Sequence, residues 1–207
     1  MPIYEDPKNP FRNVSALVDR IDREGAVGVA AIDPQRALDI HWAAENLPFV
    51  PQAELVSRGR VRQQVEICDT FPEYYPMAIA ARKIVAELSR AFSLLPLSPF
   101  ASPFEPNDIV LQRYPPKSVG ITPHHDGISR INLVCVLVVS GDGAFRLHDD
   151  REGTNPREIF APPGHVILMK APGFRETERG PFHSISNVVR GRLILGIRQR
   201  LHSPRSS

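Results

Sequence analysis

Apolar residues recur at helical spacing in three stretches of the first half of the chain. The predicted elements of this half are helices over 13–24, 33–46 and 77–92, with a short strand over 26–32. Gly25 suits the position after the first helix, and Asp33 with Pro34 suits the start of the second. The buried stripe expected on the third helix consists of Ile79, Ile84, Val85 and Leu88.

The segment 47–76, between the second and third helices, has four prolines and no clear period. Residues 61–67 alternate weakly, which indicates a strand or an edge hairpin. The segment also holds a cluster of arginines, at positions 58, 60 and 62, and the adjacent Tyr74 and Tyr75. Residues 94–106 have four more prolines and are predicted to form a loop. The ends of the chain, 1–11 and 201–207, are expected to be irregular.

From Asp108 onward the pattern changes to short apolar strands separated by turns. The predicted strands are 109–114, the region of 124, 131–140, 144–148, 158–160, 165–170, 182–188 and 192–200. Gly141 to Gly143 is a hairpin signal between two of them. Helices followed by about eight strands predict a single α+β domain over 1–207. We expect 107–200 to form a double-stranded β-helix (jelly-roll) core, braced by N-terminal helices in a support region, 1–106, that includes a possible substrate lid.

Composition narrows the class of protein without identifying it. A 207-residue chain with 42% hydrophobic residues can bury a core, and a net charge of +2 lacks the basicity of a general nucleic-acid binder. Two cysteines favour reduced thiols over a disulfide framework. We find neither a signal peptide nor an apolar run of about 20 residues, so we expect a cytoplasmic monomer without a membrane segment.

Two histidines and one aspartate form a candidate metal site. His124 and Asp126 are two residues apart, so on an extended backbone their side chains leave the same face. With His183 they make the two-histidine, one-carboxylate set that binds non-haem Fe(II) and leaves positions open for other ligands. A surface turn is the alternative for His124 and Asp126, because Pro123 and Gly127 flank them.

The last predicted strand places two arginines on one face. Arg192 and Arg198 share that face with Ile194 and Gly196. The alternative is the solvated face of an amphipathic strand, but isoleucine and glycine between the arginines favour burial, and a buried guanidinium must be paired. Two guanidinium groups on one face suit a dicarboxylate, because each can bind a carboxylate through two parallel hydrogen bonds. On strand 109–114, Gln112 and Tyr114 could donate to carboxylate oxygens, although a polar edge-strand face explains them equally well.

These residues together resemble the AlkB family of Fe(II)/2-oxoglutarate dioxygenases. The resemblance rests on an ordered set: 112–115, Gly120 with Ile121, 123–127, Pro163 with Gly164, His183, Arg192 and Arg198. It implies that His124, Asp126 and His183 hold iron and that Arg192 binds the distal carboxylate of 2-oxoglutarate. Arg198 and Tyr114 would help to hold this cosubstrate. Gln112 stands where the family commonly has asparagine, and the interval from His183 to Arg192 is nearer to that of prolyl-hydroxylase-like members of the superfamily.

The resemblance implies that the protein uses Fe(II), 2-oxoglutarate and O₂ to oxidise a substrate C–H bond. One expected substrate is an alkylated nucleobase, in nucleic acid or as a nucleotide, which would be demethylated. The alternatives are hydroxylation of a small metabolite, amino acid or protein side chain, and a non-catalytic binding module. The only lid candidate for a flipped base is 58–75. A charged strand followed by tyrosine packing on the next helix explains that segment equally well, so substrate does not follow from fold.

Overall fold

In the computed structural model, which describes residues 11–201, the chain forms three helices and thirteen strands. The helices are α1 (Val14–Glu24), α2 (Pro34–Ala44) and α3 (Pro76–Phe92). The strands are β1 (Ala26–Ala30), β2 (Val50–Pro51), β3 (Leu55–Val56), β4 (Val61–Arg62), β5 (Glu66–Cys68), β6 (Asp108–Tyr114), β7 (Ile121–His124), β8 (Arg130–Gly141), β9 (Ala144–His148), β10 (Arg157–Glu158), β11 (His165–Lys170), β12 (Phe182–Ser186) and β13 (Arg192–Arg200). The irregular ends expected at 1–11 and 201–207 lie outside the described residues, apart from Phe11 and Leu201.

The strands form two large antiparallel sheets that face each other. The seven-stranded sheet has the order β1-β11-β8-β13-β6-β5-β2, and the four-stranded sheet has the order β10-β9-β12-β7. Strands β3 and β4 form a separate hairpin. The eight strands from Asp108 onward are divided between both large sheets, which confirms the predicted α+β jelly-roll architecture.

Two apolar clusters hold the layers together, one on each face of the seven-stranded sheet. Strand β13 shows the division, because alternate side chains leave a strand on opposite faces. Leu193, Leu195 and Ile197 pack outward with the helices, whereas Ile194 packs inward with Phe145 of the four-stranded sheet. The order of layers is therefore helices, large sheet, small sheet. No helix among residues 11–201 is long and apolar enough to cross a bilayer.

The residues expected to end the first helix and to begin the second do so in the structure. The Asp33 carboxylate accepts a hydrogen bond from the Gln35 backbone N–H at 2.7 Å, and Pro34 occupies the first helical position. Gly25 follows α1 with φ +81°, and its N–H donates to the Ile21 carbonyl. That left-handed conformation is the one that glycine adopts at least cost.

The buried face of α3 differs from the predicted stripe. Ile79 is 45% exposed and Val85 is only partly buried, whereas Ile84 and Leu88 are buried as expected. The true buried series begins at Met77 and continues through Ala81, Ile84 and Leu88. Ile79 lies two residues from Met77, about 200° around the helix axis, and therefore points to solvent.

Residues 141–143 turn the chain between sheets and do not form the predicted hairpin. β8 pairs with β11 and β13, whereas β9 pairs with β10 and β12. The glycines were a correct signal for a reversal, since Gly141 and Gly143 have φ +89° and +101°. A Cβ at Gly141 would lie 1.9 Å from the Gly191 carbonyl oxygen, so the backbone just before β13 packs closely against the end of β8. The apolar pattern predicts strands but not their partners.

The segment 61–67, predicted to be a strand or an edge hairpin, contains β4 and the first part of β5. β4 pairs with β3 in the hairpin, whereas β5 joins the edge of the large sheet between β6 and β2. The chain passes from the hairpin to the seven-stranded sheet through residues 63–65, which explains why the alternation is weak. Tyr75 packs against the helical core at the start of α3, and Tyr74 is exposed beside it.

Candidate metal centre

The three predicted metal ligands converge between the two sheets. His124 ends β7, and Asp126 follows two residues later in the adjoining loop. His183 on β12 is the register partner of His124, and the ring centroids are 4.3 Å apart. One ligand atom from each of the three residues lies within 4.8 Å of the other two. The structure therefore excludes the surface-turn alternative for His124 and Asp126.

Backbone carbonyls orient both imidazole rings. Nδ1 of His124 lies 2.9 Å from the Thr122 carbonyl oxygen, and Nδ1 of His183 lies 3.2 Å from the Pro181 carbonyl oxygen. A carbonyl oxygen can only accept, so each Nδ1 bears the proton and donates it. The lone pair on each Nε2 is then free for a metal ion. This is the usual arrangement of ligating histidines.

The surroundings keep the donors in their metal-binding protonation states. Burial and the neighbouring His183 lower the pKa of His124 to about 3, and burial also lowers the pKa of His183. Burial by itself raises the pKa of Asp126, but His183 and Arg130 outweigh it, and the pKa of this carboxyl falls below its usual value. Neutral imidazoles and an ionised carboxylate are the forms that bind a divalent cation.

Arg130 positions the carboxylate, and the sequence analysis missed it. Its Nη1 donates to Oδ1 of Asp126 at 3.1 Å, and its Nε lies 3.9 Å from Asp108. One oxygen of Asp126 is held while the other remains available to a metal. The available signal was an arginine four residues after the aspartate, across a loop containing Gly127, but nothing in the sequence shows that this loop folds back.

Arg192 and Tyr114 lie opposite each other at the other end of the inner face. They are register partners on β13 and β6, and they are 5% and 2% exposed. Nη1 of Arg192 donates to the carbonyls of Asp142 and Gly143 at 3.3 and 2.8 Å, while its buried Nε has no hydrogen-bond partner. Burial raises the pKa of Tyr114 to about 12, so its hydroxyl remains a donor. The solvated-strand alternative is excluded for Arg192.

Arg198 lies near the metal ligands on the same face of β13. It is 7% exposed, and its guanidinium makes no hydrogen bond or ion pair with any other residue in 11–201. It contributes to lowering the pKa of both Asp126 and His183. Gly196 makes room for it, because a Cβ there would lie 2.6 Å from Nη2 of Arg198. Gln112 on β6 is opposite Ile194, between the two arginines.

One cavity is lined by the triad, and a second one shares residues with the first. The inner cavity, of about 60 Å³, is lined by the triad, Gln112, Tyr114, Arg198 and apolar residues of both sheets. A cleft of about 280 Å³ shares Gln112 and Arg198 with it. Arg192 does not line the inner cavity, although its neighbour Tyr114 does. It lines a larger cavity of about 770 Å³ that lies away from the triad and also contacts Tyr114.

Comparison with known proteins identifies the fold. No protein-family model and no curated protein matches the chain. A prolyl hydroxylase from Trichoplax adhaerens, solved with a peptide fragment of the hypoxia inducible factor oxygen degradation domain, is similar at 11% identity. The TM-score is 0.67 over 93% of this chain and 90% of that one. An oxidoreductase of the 2OG-Fe(II) oxygenase family from Burkholderia pseudomallei is similar at 15% identity and TM-score 0.64, over 92% of each chain.

A third solved structure, a prolyl-4-hydroxylase from Pseudomonas putida, is similar at 14% identity and TM-score 0.60, over 91% of this chain and 99% of that one. The AlkB subfamily suggested by the sequence is not shown by these matches, two of which are prolyl hydroxylases. At such low identities, likeness establishes the fold alone. The chain has the 2OG-Fe(II) oxygenase fold, with a His–Asp–His triad enclosed between its two sheets.

Proposed function

We propose that this protein is an Fe(II)- and 2-oxoglutarate-dependent hydroxylase acting on an amino acid or a protein side chain. The observation that carries the proposal is the convergence of two imidazole nitrogens and one carboxylate oxygen within 4.8 Å, inside a jelly-roll. The donor set fits Fe(II), because two imidazoles and one carboxylate on one side leave positions open. Iron with 2-oxoglutarate and O₂ would supply the oxidant that converts a substrate C–H to C–OH, yielding succinate and CO₂.

The chain's own residues fit a dicarboxylate cosubstrate. Arg192 and Tyr114 offer donors at the end of the inner face away from iron, and the unpartnered Nε of Arg192 is available to a carboxylate. Arg198 and Gln112 offer a second set of donors beside the triad. A buried guanidinium needs an anion, and 2-oxoglutarate would supply one carboxylate to each end. We assign Arg192, Tyr114, Arg198 and Gln112 to cosubstrate binding on this basis.

The prolyl-hydroxylase likeness favours hydroxylation over the nucleobase demethylation predicted from the sequence. Two of the similar structures are prolyl hydroxylases, one of them with a bound peptide fragment. The cleft beside the triad also has no aromatic side chain among its lining residues within 11–201. A flipped base is commonly held by stacking on such rings.

The proposal is tested by measuring succinate release from 2-oxoglutarate and O₂ with added Fe(II), without a substrate. The wild-type protein should release succinate slowly, and His183→Ala should abolish the release. Mn(II) binding, followed by calorimetry, should be lost in His183→Ala and kept in His125→Ala, whose ring packs on Phe182. Metal-independent succinate release, or unchanged Mn(II) binding by His183→Ala, would show that the triad is not the metal site.

A further inference from the structure

The β3–β4 hairpin lies along the strand that bears His124. The backbone N–H of Arg62 donates to Oγ1 of Thr122 at 3.0 Å, and Gln63 forms an antiparallel bridge with Ile121. Val61 is 2% exposed, so the hairpin is anchored by burial as well as by hydrogen bonds. The hairpin is therefore held against β7, at the edge of the four-stranded sheet.

The register of this contact places the hairpin tip, residues 57–60, at the metal end of β7. In an antiparallel pair, moving backward along one strand moves forward along the other. Gln63 is opposite Ile121 and Arg62 is beside Thr122, so the tip extends alongside and past His124 toward the loop of Asp126. Ser57, Arg58 and Gly59 all have positive φ, which closes the hairpin tightly at this point.

Positive charge on the tip is not neutralised within the described chain. Arg62 is paired with Glu54 at 2.7 Å. Arg58 and Arg60 are exposed and have no ion pair with any acidic group of residues 11–201. The two guanidinium groups are therefore available to another molecule.

The cleft beside the triad is lined by both polar and charged side chains. We call it the mouth cleft; its lining includes Gln52, Gln63, Gln112, Arg130, Arg198 and Arg200. Arg130 and Arg200 are paired with Asp126 and Asp108. Arg198 shares this lining with Asp69, so the positive charge in excess comes from Arg58 and Arg60 on the tip. That excess remains when iron and 2-oxoglutarate are bound, because their charges cancel.

We propose that the hairpin tip and the mouth cleft bind an acidic polypeptide segment, whose side chain enters the mouth cleft for hydroxylation. The inference rests on the proposed function. One exposed charge pair is worth only about 0.2–1 kcal/mol, so Arg58 and Arg60 give useful recognition only to a ligand with several anionic groups. Nε2 of Gln52 and of Gln63 already donates to the carbonyls of Val50 and Ala53, which leaves the two amide oxygens to accept hydrogen bonds from peptide N–H groups. Val65, Ile67 and Val110 give the same cleft an apolar part.

A single-stranded nucleic acid is the other polyanion with several charges in a row. It is less suited to the mouth cleft, because proteins that bind unpaired bases stack them on aromatic rings. Among the described residues that line the mouth cleft there is no aromatic side chain. The exposed Tyr74 lies at the start of α3 and is absent from that lining.

The test compares two labelled 15-residue peptides with a central proline, one with glutamate and one with glutamine at the other positions. Binding to the full chain loaded with Mn(II) and 2-oxoglutarate is measured by fluorescence anisotropy. The glutamate peptide should bind, and more weakly as salt is raised. The double variant Arg58→Glu/Arg60→Glu should weaken this binding about tenfold. The control Arg36→Glu/Lys83→Glu makes the same charge change at exposed positions on α2 and α3 and should bind like wild type.

Equal binding of the two peptides, equal weakening by both double variants, or tighter binding of a 15-nucleotide oligothymidylate would overturn the proposal. Succinate release without substrate separates this result from the proposed function. Arg58→Glu/Arg60→Glu leaves the metal and cosubstrate residues intact and should keep that release at the wild-type rate. Absence of succinate release by the wild-type protein would contradict the proposed function. Equal binding of the glutamate and glutamine peptides, with succinate release present, would contradict only the peptide site.

Discussion

His183 lies directly opposite His124 in the register of β12 and β7, and the register shifts immediately after this pair, before Ile185. Opposed residues on one face of an antiparallel pair have their Cβ atoms about 4.5–5.5 Å apart, so strand pairing alone brings the two imidazoles together. Carbonyls two residues before each histidine then fix the ring tautomers. Asp126 lies beyond the strand end and lacks this constraint. Its position depends on the ion pair with Arg130.

Arg130→Gln should therefore weaken metal binding without removing a ligand. Loss of a residue that orients a ligand typically costs 10–100-fold in affinity, and we expect a decrease of about that size for Mn(II), measured by calorimetry. Arg175→Gln is the matched control, because it breaks ion pairs with Asp19 and Asp22 on α1, away from the triad. An unchanged Mn(II) affinity in Arg130→Gln would mean that the loop positions Asp126 unaided.

Arg192→Ala should raise the concentration of 2-oxoglutarate required for succinate release. A hydrogen bond to a charged group is worth about 1.5–3 kcal/mol, which corresponds to a decrease of about 10- to 150-fold in affinity. Arg190→Ala is the control two residues away, since its exposed guanidinium pairs with Asp142 at the surface. Thermal unfolding of both variants separates lost binding from lost stability. If Arg198→Ala weakens 2-oxoglutarate binding and Arg192→Ala does not, the distal anchor has been assigned to the wrong arginine.

The metal-free protein should lose stability as the pH falls below about 6.5. An unfolded histidine takes up a proton near that pH, whereas folded His124 does so only near about 3. Between these two pH values the unfolded state binds more protons than the folded state. The free energy of unfolding therefore decreases as the pH is lowered, by up to about 1.4 kcal/mol per pH unit for one such histidine. Urea unfolding at pH 7 and 5, with chelator present, measures the difference. It should be smaller in His124→Gln, and equal pH dependence in the two proteins would contradict the assignment.

Much of the site was predictable because its residues obey local rules. Alternation along 192–198 correctly placed Arg192 and Arg198 on one buried face, since period two is a property of any strand. His124 and Asp126 also converge with His183, but Asp126 lies past the end of β7, so strand alternation does not account for its position. Arg130 was missed because its contact with Asp126 depends on how a glycine-containing loop folds back. For the edge hairpin considered at 61–67, the bounds of 55–62 could not be predicted, because strands of two residues are too short to show a period.

Gly196→Ala should leave the fold intact and act on the pocket through Arg198. A Cβ at this position would lie 2.6 Å from Nη2 and 3.0 Å from Nε of Arg198, atoms at the end of a flexible side chain that can move away. We expect thermal unfolding near that of wild type, with 2-oxoglutarate affinity reduced about as much as in Arg198→Ala. Since both changes act through one guanidinium, the double variant should be no worse than Arg198→Ala. Gly28→Ala is the contrast, because its Cβ would lie 2.1 Å from the Phe160 carbonyl oxygen, a backbone atom, so this variant should be destabilised. Additive losses in the Gly196→Ala/Arg198→Ala double variant would show that the two residues act independently.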